Sequence, residues 1–445
     1  MKKQLLLQLT ACMIFLTVST TSAFAQIWHN VGAAGFSAGS AQYTSLAFSP
    51  SGEPHVAFRD NGIGNKATVM KFDGTNWVNV GTAGFSTGQA ERTSLAFSPS
   101  GEPHVAFRDI GNGSKATVMK FDGTDWVNVG TAGFSAGQAE YTSLAFSPSG
   151  EPHVAYRDDA IANGSKASVM KFDGTNWVNV GTAGFSASIA IFTSLAFSTS
   201  GEPHVAYTDY VNGDKATVKK FDGTNWVDVG SPGFSISLAH HLSLAFSPGG
   251  EPHVAFQDYG NPFKATVMKF DGTSWVNVGT AGFSAGTAQY TSLAFSPAGE
   301  PHVAYNEVTV KKFDGTGWVN VGTALFSAGV AEYTSLAFSP TGEPYVAYQD
   351  HVNGSKATVM KFSSNVGFDD IAFTNSVSVY PNPTTGTIVF SKEYNSTLTD
   401  IMGKVILVNK KTNSLDISNQ PSGMFFLLLA DDQGRIVQRN KITKE

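Results

Sequence analysis

All seven tryptophans of this chain recur at near-fixed intervals, and this repeat constrains the fold more than any other feature. They stand 43 to 51 residues apart, at Trp28, Trp77, Trp126, Trp177, Trp226, Trp275 and Trp318. Each lies in nearly the same sequence, WVNVGTAGFSAGxAxYTSLAFSPSGEPHVAFRD, followed by a short variable stretch and KATVMKFDGTxW. A fixed period of this length indicates a repeat architecture, and seven copies indicate a closed ring.

Each repeat contains four short β-type runs separated by turn signals. In the first copy the runs are Tyr43–Ser49, Pro54–Asp60, Lys66–Phe72 and Trp77–Gly81. Apolar residues alternate or run together within them, and a helical period is absent. Four antiparallel strands in each repeat predict an all-β fold, a seven-bladed β-propeller over residues 26–365. A solenoid is the alternative, but a solenoid needs distinct polar caps, and here the end repeats resemble the middle ones.

The two ends of the repeat region are offset by one strand. The Trp run Ile27–Gly32 has no KATVMKF before it, and the last KATVMKF, Lys356–Phe362, has no Trp run after it. We therefore expect the N-terminal strand to pair with Lys356–Phe362 and complete the last blade. Such a closure would cover two strand edges that are otherwise open to association.

The motif Glu-Pro-His-Val-Ala places one histidine in each of six repeats, and the seventh has Tyr345. The histidines are His55, His104, His153, His204, His253 and His302. One histidine per blade spreads them around the ring, too far apart for metal–ligand bonds of about 2 Å. We expect these histidines to be buried and hydrogen-bonded, and the tryptophans to pack between blades.

The loops divide into a constant set and a variable set. The SPSGEP and DGTxW loops barely change and would share one face, so the variable loops would share the opposite face. The position before each TSLAF run also varies, and it should surround the mouth of the central channel as a ligand-binding site. The candidate residues are Tyr43, Arg92, Tyr141, Phe192, His241, Tyr290 and Tyr333, together with His240. Relaxed constraint on surface loops is the alternative.

No cofactor or metal is expected. A metal site of His240 and His241 with Glu140 or Glu332 is an alternative, but no known metal-motif spacing supports it. A net charge of -6, with 14% charged residues, gives no support for nucleic-acid binding. The chain has no stretch of 18 consecutive apolar residues, so no membrane span is predicted.

The N-terminus reads as an export signal. Lys2 and Lys3 precede an apolar run, and Ala23-Phe24-Ala25 supplies a cleavage pattern, so residues 1–25 are predicted as a signal peptide. The sole cysteine, Cys12, lies inside this segment, which leaves the mature chain without thiols. An alternative interpretation makes Leu9-Thr10-Ala11-Cys12 a lipoprotein processing box with Cys12 as the lipid anchor.

The repeat stops after Phe362, and residues 366–374 are interpreted as a linker. Short β-type runs over residues 375–445 predict a small Ig-like β-sandwich. Its motifs appear in the order Tyr380-Pro381-Asn382-Pro383, Gly403-Lys404-Val405, Pro421-Ser422-Gly423-Met424-Phe425 and Lys441-Ile442-Thr443-Lys444. This set resembles the C-terminal sorting domain of type IX secretion substrates in Gram-negative bacteria. The resemblance implies recognition by the type IX machinery, passage across the outer membrane, removal of the domain, and release or attachment to a surface glycolipid.

These features together predict a secreted or cell-surface binding or adhesion propeller that is not an enzyme. Its partner would be an extracellular glycan or protein, recognised through the variable-loop face. One alternative is a structural surface component with no discrete ligand. Another is a propeller glycan hydrolase or lyase, which would need an asymmetric set of catalytic groups near the channel.

Overall fold

The four β-type runs of each repeat form one antiparallel sheet, because the Asp-Gly and Ser-Pro-Ser-Gly turns reverse the chain between them. The computed structural model describes residues 27–160, 162–363, 377–400, 405–431 and 436–445. They form seven four-stranded sheets, the blades, and one five-stranded C-terminal sheet, which confirms the predicted all-β propeller. The signal peptide predicted for residues 1–25, with Cys12, and the linker predicted for residues 366–374 lie outside the described residues.

Blades are numbered in chain order, and strands from the channel outwards. The first strands are Ala41–Phe48, Ala90–Phe97, Ala139–Phe146, Ala190–Phe197, Ala239–Phe246, Ser292–Phe295 and Ala331–Phe338. The second strands are Pro54–Asp60, Pro103–Asp109, Pro152–Asp158, Pro203–Asp209, Pro252–Asp258, Pro301–Tyr305 and Pro344–Asp350. The third strands are Lys66–Phe72, Lys115–Phe121, Lys166–Phe172, Lys215–Phe221, Lys264–Phe270, Thr309–Phe313 and Lys356–Ser363.

The fourth strands of blades 1 to 6 are short, and blade 7 takes its fourth strand from the N-terminus. They are Trp77–Asn79, Trp126–Asn128, Trp177–Asn179, Trp226–Asp228, Trp275–Asn277, Trp318–Asn320 and, for blade 7, Ile27–Asn30. In blade 1 this strand ends before the predicted Gly81, because Gly81 has a φ of 67° and turns the chain into the loop that links to the next blade. Short 3₁₀ helices follow the second strand in three blades, at Asn61–Ile63, Ile110–Asn112 and Tyr210–Asn212.

The N-terminal strand closes the ring as predicted. Ile27–Asn30 pairs antiparallel with the third strand of blade 7, with Trp28 opposite Phe362 and Asn30 opposite Met360. The Trp28 indole is buried and donates a hydrogen bond of 2.7 Å to the carbonyl of Val321 in blade 6. The first and last strands of the propeller therefore belong to one blade.

Each joint between blades repeats the same contacts at three distances from the channel. Next to the channel, the backbone N–H of a first-strand leucine donates to a serine Oγ of the preceding blade, as Leu95 does to Ser45 at 2.9 Å. The seventh bond of this kind, from Leu46 to Ser335 at 3.0 Å, completes the circle. At the outer edge, all seven indoles donate to a valine carbonyl of the preceding blade at 2.6–2.7 Å. Each indole also stacks on a linking-loop phenylalanine at 4.0–4.1 Å, so the expected packing of tryptophan between blades is confirmed.

The repeated histidines lie between these two contacts and are structural. His55 is buried, its Nδ1 lies 3.0 Å from the carbonyl of Glu53, and its ring meets Phe97 of the next blade edge to face at 4.9 Å. Burial lowers the pKa of His55 and of its five counterparts below the usual histidine range. In blade 7, Tyr345 makes the same edge-to-face contact with Phe48 at 4.9 Å. The expectation of buried, hydrogen-bonded histidines is confirmed.

The C-terminal module surrounds its own apolar core. Its strands are Val379–Tyr380, Thr387–Thr399, Val405–Asp416, Gly423–Ala430 and Ile436–Lys444. The long second strand pairs with Val379–Tyr380 near its start, with Gly423–Ala430 near its end, and with Val405–Asp416 along its other edge. Alternating residues of these strands meet in the core, including Ile388, Phe390, Leu398, Leu415, Phe425, Leu427 and Leu429. The structure thus shows one five-stranded sheet with an apolar core, which is compatible with the small Ig-like β-sandwich predicted from the sequence.

Candidate functional site

In six of the seven blades the linking loop enters the first strand through a β-bulge, and in all seven the residue at this point, called the bulge residue, places a large side chain at the channel mouth. In blade 1 the pairing register shifts between Gln42 and Ser45, and Tyr43 has a φ of 56°. The equivalent residues of the other blades have φ values of 52–55°. An L-residue in this left-handed region costs about 1–2 kcal/mol, and glycine is the residue that usually occupies it. Here all seven positions carry bulky side chains, so the molecule keeps them at the expense of backbone strain.

The backbone of the bulge is held in the same way in nearly every blade. In six blades the threonine after the bulge donates its hydroxyl to the carbonyl of the bulge residue in the preceding blade, as Thr93 does to Tyr43. Leu242 takes the place of this threonine in blade 5. The backbone around the mouth is thus nearly uniform, while the side chains that it presents differ.

The seven bulge side chains, called the mouth ring below, form one continuous circle of contacts. They are Tyr43, Arg92, Tyr141, Phe192, His241, Tyr290 and Tyr333. Neighbouring aromatic and imidazole rings have centroids 4.7–4.9 Å apart. The Arg92 guanidinium completes the circle, 5.1 Å from the ring centre of Tyr43 and 4.6 Å from that of Tyr141. Together with the adjoining threonines, and Leu242 in blade 5, they line a depression of about 250 Å³. The structure therefore brings together all seven side chains that the sequence placed at the mouth.

His240, the eighth candidate, lies behind the mouth ring. Its Nδ1 is 2.9 Å from the hydroxyl of Tyr259, and its ring lies 5.2 Å from that of Phe192. Burial, together with the nearby His240 and Arg92, lowers the pKa of His241 to about 4, and burial also lowers the pKa of His240. Both imidazoles are thus neutral at pH 7. Across the described part of the chain, no group of three or more His, Cys, Asp or Glu could hold a metal ion, so the alternative metal site is not formed.

A cluster of charged residues that the sequence analysis did not identify surrounds the mouth ring in blades 1 to 3. Arg59, Arg108 and Arg157 occupy the next-to-last position of the second strand, where blades 4, 5 and 7 have Thr208, Gln257 and Gln349. This difference between copies was the available signal. The difference lies in the PHVAFRD run, which otherwise repeats closely from blade to blade, and the whole run was therefore interpreted as structural.

Arg59, Arg92 and Arg108 share two of the three glutamates that precede mouth-ring residues. Glu91 accepts from Arg59 at 3.0 Å and from Arg108 at 2.8 Å. Glu140 lies 2.7 Å from Arg108 and 3.5 Å from Arg92. Three of these four contacts cross from one blade to the next, and Arg108 with Glu91 pairs within blade 2, so one half of the mouth is ionic.

Exposed apolar residues also concentrate on the variable-loop face. Among the described residues of the propeller, eleven large apolar side chains are exposed, and nine of them lie in the variable loops. They are Ile189, Tyr210, Val211, Ile236, Leu238, Phe263, Leu325, Val330 and Val352. Linking loops and second-to-third-strand loops meet on this face, since Asn61 donates its N–H to Ser40 at 2.9 Å and Tyr210 donates to Ile189 at 3.1 Å. Clustered apolar exposure of this kind marks contact surfaces.

Larger clefts lie on the opposite face, between neighbouring blades. Two of them measure about 520 Å³ and about 460 Å³, and both are lined by the constant loops. Their charged groups already pair with each other, as Lys171 does with Glu151 at 2.8 Å. These clefts occur because each pair of neighbouring blades packs in the same way. The side chains that differ from blade to blade lie instead at the smaller channel mouth.

Comparison with known proteins identifies the C-terminal module. Residues 378–444 match the family model of the secretion system C-terminal sorting domain. No curated protein matched the chain in a sequence search.

Several solved structures match this chain at low sequence identity. The extracellular domain of a hybrid two component system from B. thetaiotaomicron matches at 11% identity with a TM-score of 0.53, over 95% of this chain and 59% of its own length. PorZ, a surface component of the type-IX secretion system of Porphyromonas gingivalis, matches at 13% identity with a TM-score of 0.46, over 90% of this chain and 59% of PorZ. A PL25 ulvan lyase matches at 12% identity with a TM-score of 0.47, over 74% of this chain and 94% of the lyase. The first likeness supports the fold, and at these identities none of them assigns a function.

Among the described residues, no helix has the length and apolar character needed to cross a membrane. The matched sorting domain directs export by type IX secretion, to the cell surface or the extracellular space. The chain is therefore a type IX secretion substrate, a seven-bladed β-propeller followed by a C-terminal sorting domain.

Proposed function

We propose that the propeller is a binding protein that holds the end of an extracellular saccharide in the mouth ring, and that it does so without catalysis. The observation that carries this proposal is the closed circle of bulky side chains at seven left-handed backbone positions. Strain of this kind persists only where the surrounding structure imposes it, and it clusters at binding and catalytic sites.

The composition of the mouth ring suits a saccharide. Four tyrosines, a phenylalanine and a neutral histidine offer apolar rings, and the tyrosine hydroxyls add hydrogen-bonding groups. Sugars present the same combination of an apolar C–H surface and hydroxyl groups. A depression of about 250 Å³ has room for one or two sugar units.

The test removes side chains from the mouth ring without disturbing the backbone. Glycine is favourable at a φ of 52°, so a Tyr290→Gly, Tyr333→Gly double variant should fold normally. We expect it to lose at least about tenfold in affinity for whichever oligosaccharide the wild type binds on an immobilised array, measured by titration calorimetry, because two rings of the binding surface are gone.

Thr199→Pro is the matched control for this experiment. It gives the turn on the opposite face of blade 4 the Ser-Pro-Ser-Gly sequence of blades 1 to 3, so it should leave binding unchanged. Equal affinity of the double variant and the control would contradict the proposal. So would a wild type that binds no oligosaccharide, which would instead favour a structural surface component. Turnover of the bound saccharide would point to the alternative of a glycan hydrolase or lyase.

Export gives a separate prediction. Deleting residues 378–444 should keep the propeller folded and prevent its appearance outside the cell, because the sorting domain has its own core and carries the export signal. Protease accessibility on intact cells, compared with detection after lysis, measures this. A truncated protein that still reached the surface would contradict it.

A further inference from the structure

We infer that the mouth recognises an acidic saccharide, and that Arg92 binds its carboxylate or its sulfate ester. This inference rests on the proposed binding of saccharides at the mouth ring and names the class of ligand. The inference is based on Arg92, the one mouth-ring residue whose side chain has no aromatic or imidazole ring.

Arg92 occupies a position where four of the seven blades have tyrosine and no other blade has a charged residue at pH 7. Its guanidinium lies within 5.1 Å of the ring centres of both Tyr43 and Tyr141. Two neighbouring aromatic faces restrict the freedom of a long side chain and hold its charge in place by cation–π attraction. The guanidinium is thus positioned at the mouth before any ligand arrives.

The donors of Arg92 remain largely available to a ligand. Its closest carboxylate oxygen, Oε2 of Glu140, is 3.5 Å from Nε, which is longer than the 2.7–2.9 Å typical of a charge-assisted hydrogen bond. Glu140 bonds instead to Arg108 at 2.7 Å. In the described part of the chain, the two Nη atoms of Arg92 have no hydrogen-bond partner, and a carboxylate or sulfate accepts two parallel bonds from such a fork.

The ion pairs around Arg92 leave it without a close counter-ion. Four arginines, Arg59, Arg92, Arg108 and Arg157, face three carboxylates in blades 1 to 3, namely Glu91, Glu140 and Asp159. Glu91 is bound by two arginines and Asp159 by Arg157 at 2.8 Å, so neither carboxylate is left to neutralise Arg92. A guanidinium that lacks a close counter-ion at the edge of a small depression attracts an anionic group.

A saccharide with one acidic group fits both parts of the mouth. The uncharged side of the circle, from Phe192 to Tyr333, would contact the sugar ring, and Arg92 would pair with the acid at its edge. Aromatic neighbours displace water from around the guanidinium, which strengthens a charge-assisted bond compared with one in open solvent.

The experiment compares three otherwise matched oligosaccharides that end in a uronate, a sulfated sugar or the neutral sugar. The variant is Arg92→Tyr, which gives blade 2 the residue of blades 1, 3, 6 and 7 at the same backbone φ, so the fold should be kept. We expect the wild-type protein to bind at least one acidic form about tenfold or more tightly than the neutral form. Arg92→Tyr should bring the ratio of acidic to neutral affinity close to one, whatever it does to the affinity for the neutral form, and Arg92→Lys should keep part of the preference.

Which acidic probe binds more tightly identifies the acid as a carboxylate or a sulfate ester. An acid-to-neutral ratio that is the same in the wild type and in Arg92→Tyr would overturn the inference. Equal binding of acidic and neutral forms by the wild type, with loss of binding in the Tyr290→Gly, Tyr333→Gly variant, would overturn it while leaving saccharide binding intact. Absence of binding to all three probes and across the array would overturn both.

Discussion

Deleting residues 27–30 should open the ring and make the propeller both less stable and prone to self-association. The deletion removes the fourth strand of blade 7 and with it the Trp28 contacts to blade 6. It also exposes the unpaired edge of Lys356–Ser363, and such edges pair with other chains. We expect a clear drop in the thermal midpoint by circular dichroism, together with oligomers detected by light scattering.

A single substitution tests the same joint more finely. Trp28→Ala should lower the free energy of unfolding by about 3–5 kcal/mol. It removes the bond to the Val321 carbonyl, the stack on Phe326 at 4.1 Å and the contact with Phe362 at 5.5 Å. Ile27→Ala is the matched control, because Ile27 is 41% exposed in the same strand and should change stability by only about 0.5 kcal/mol. Equal stability of the two variants in denaturant titrations would contradict this role of Trp28.

Acidification from pH 7 to pH 5 should destabilise the propeller. Burial keeps His55 and its five counterparts neutral in the folded state, with pKa values below the usual range. In the unfolded chain these histidines take up protons near pH 6.5. Below that pH the unfolded state therefore binds more protons than the folded state does. The stability that they contribute is complete above pH 6.5 and is lost as the pH falls from there towards the folded pKa values. Each histidine adds up to about 1.4 kcal/mol per pH unit. His241 adds to this between pH 6.5 and its folded pKa of about 4.

Blade 7 supplies the control for the acid effect. Tyr345 packs on Phe48 as His55 packs on Phe97, so His→Tyr substitutions should keep the joint and remove the titrating group. The free energy of unfolding, measured by denaturant titration at several pH values, should fall less steeply with each such substitution. A slope that does not change when all six are replaced would show that other groups control the acid response.

Much of the fold could be predicted because the same four-strand pattern occurs seven times in the sequence. The Trp28 run has no KATVMKF segment before it, and the last KATVMKF segment has no Trp run after it, unlike every other copy. The two unpartnered segments were therefore predicted to pair, although they lie at opposite ends of the propeller sequence. The seven mouth-ring positions could be predicted for the same reason, since alignment of the copies separates what varies from what recurs. A sequence with a single copy of the blade would have offered neither argument.

The chemistry of the mouth was less accessible from sequence. Nothing in Tyr43 or Phe192 suggests a left-handed backbone, because bulky residues disfavour that conformation, and only the bulge of the folded strand imposes it. The pairing of Arg59 with Glu91 joins residues of different blades. It depends on the angle between sheets, which no pattern along one repeat contains.

Closure by the N-terminal strand also determines how the ring would respond to mechanical load. A pull on the C-terminal module enters the propeller at Ser363, which pairs with Ile27, the first residue of the closing strand. In this antiparallel arrangement the four residue pairs from Ser363 to Met360 are loaded one after another, starting from that pair. They would separate in sequence at low force, as in unzipping, whereas a shearing geometry would load all of them together. Blade 7 is thus the point at which tension would first open a ring whose seven joints are otherwise nearly alike.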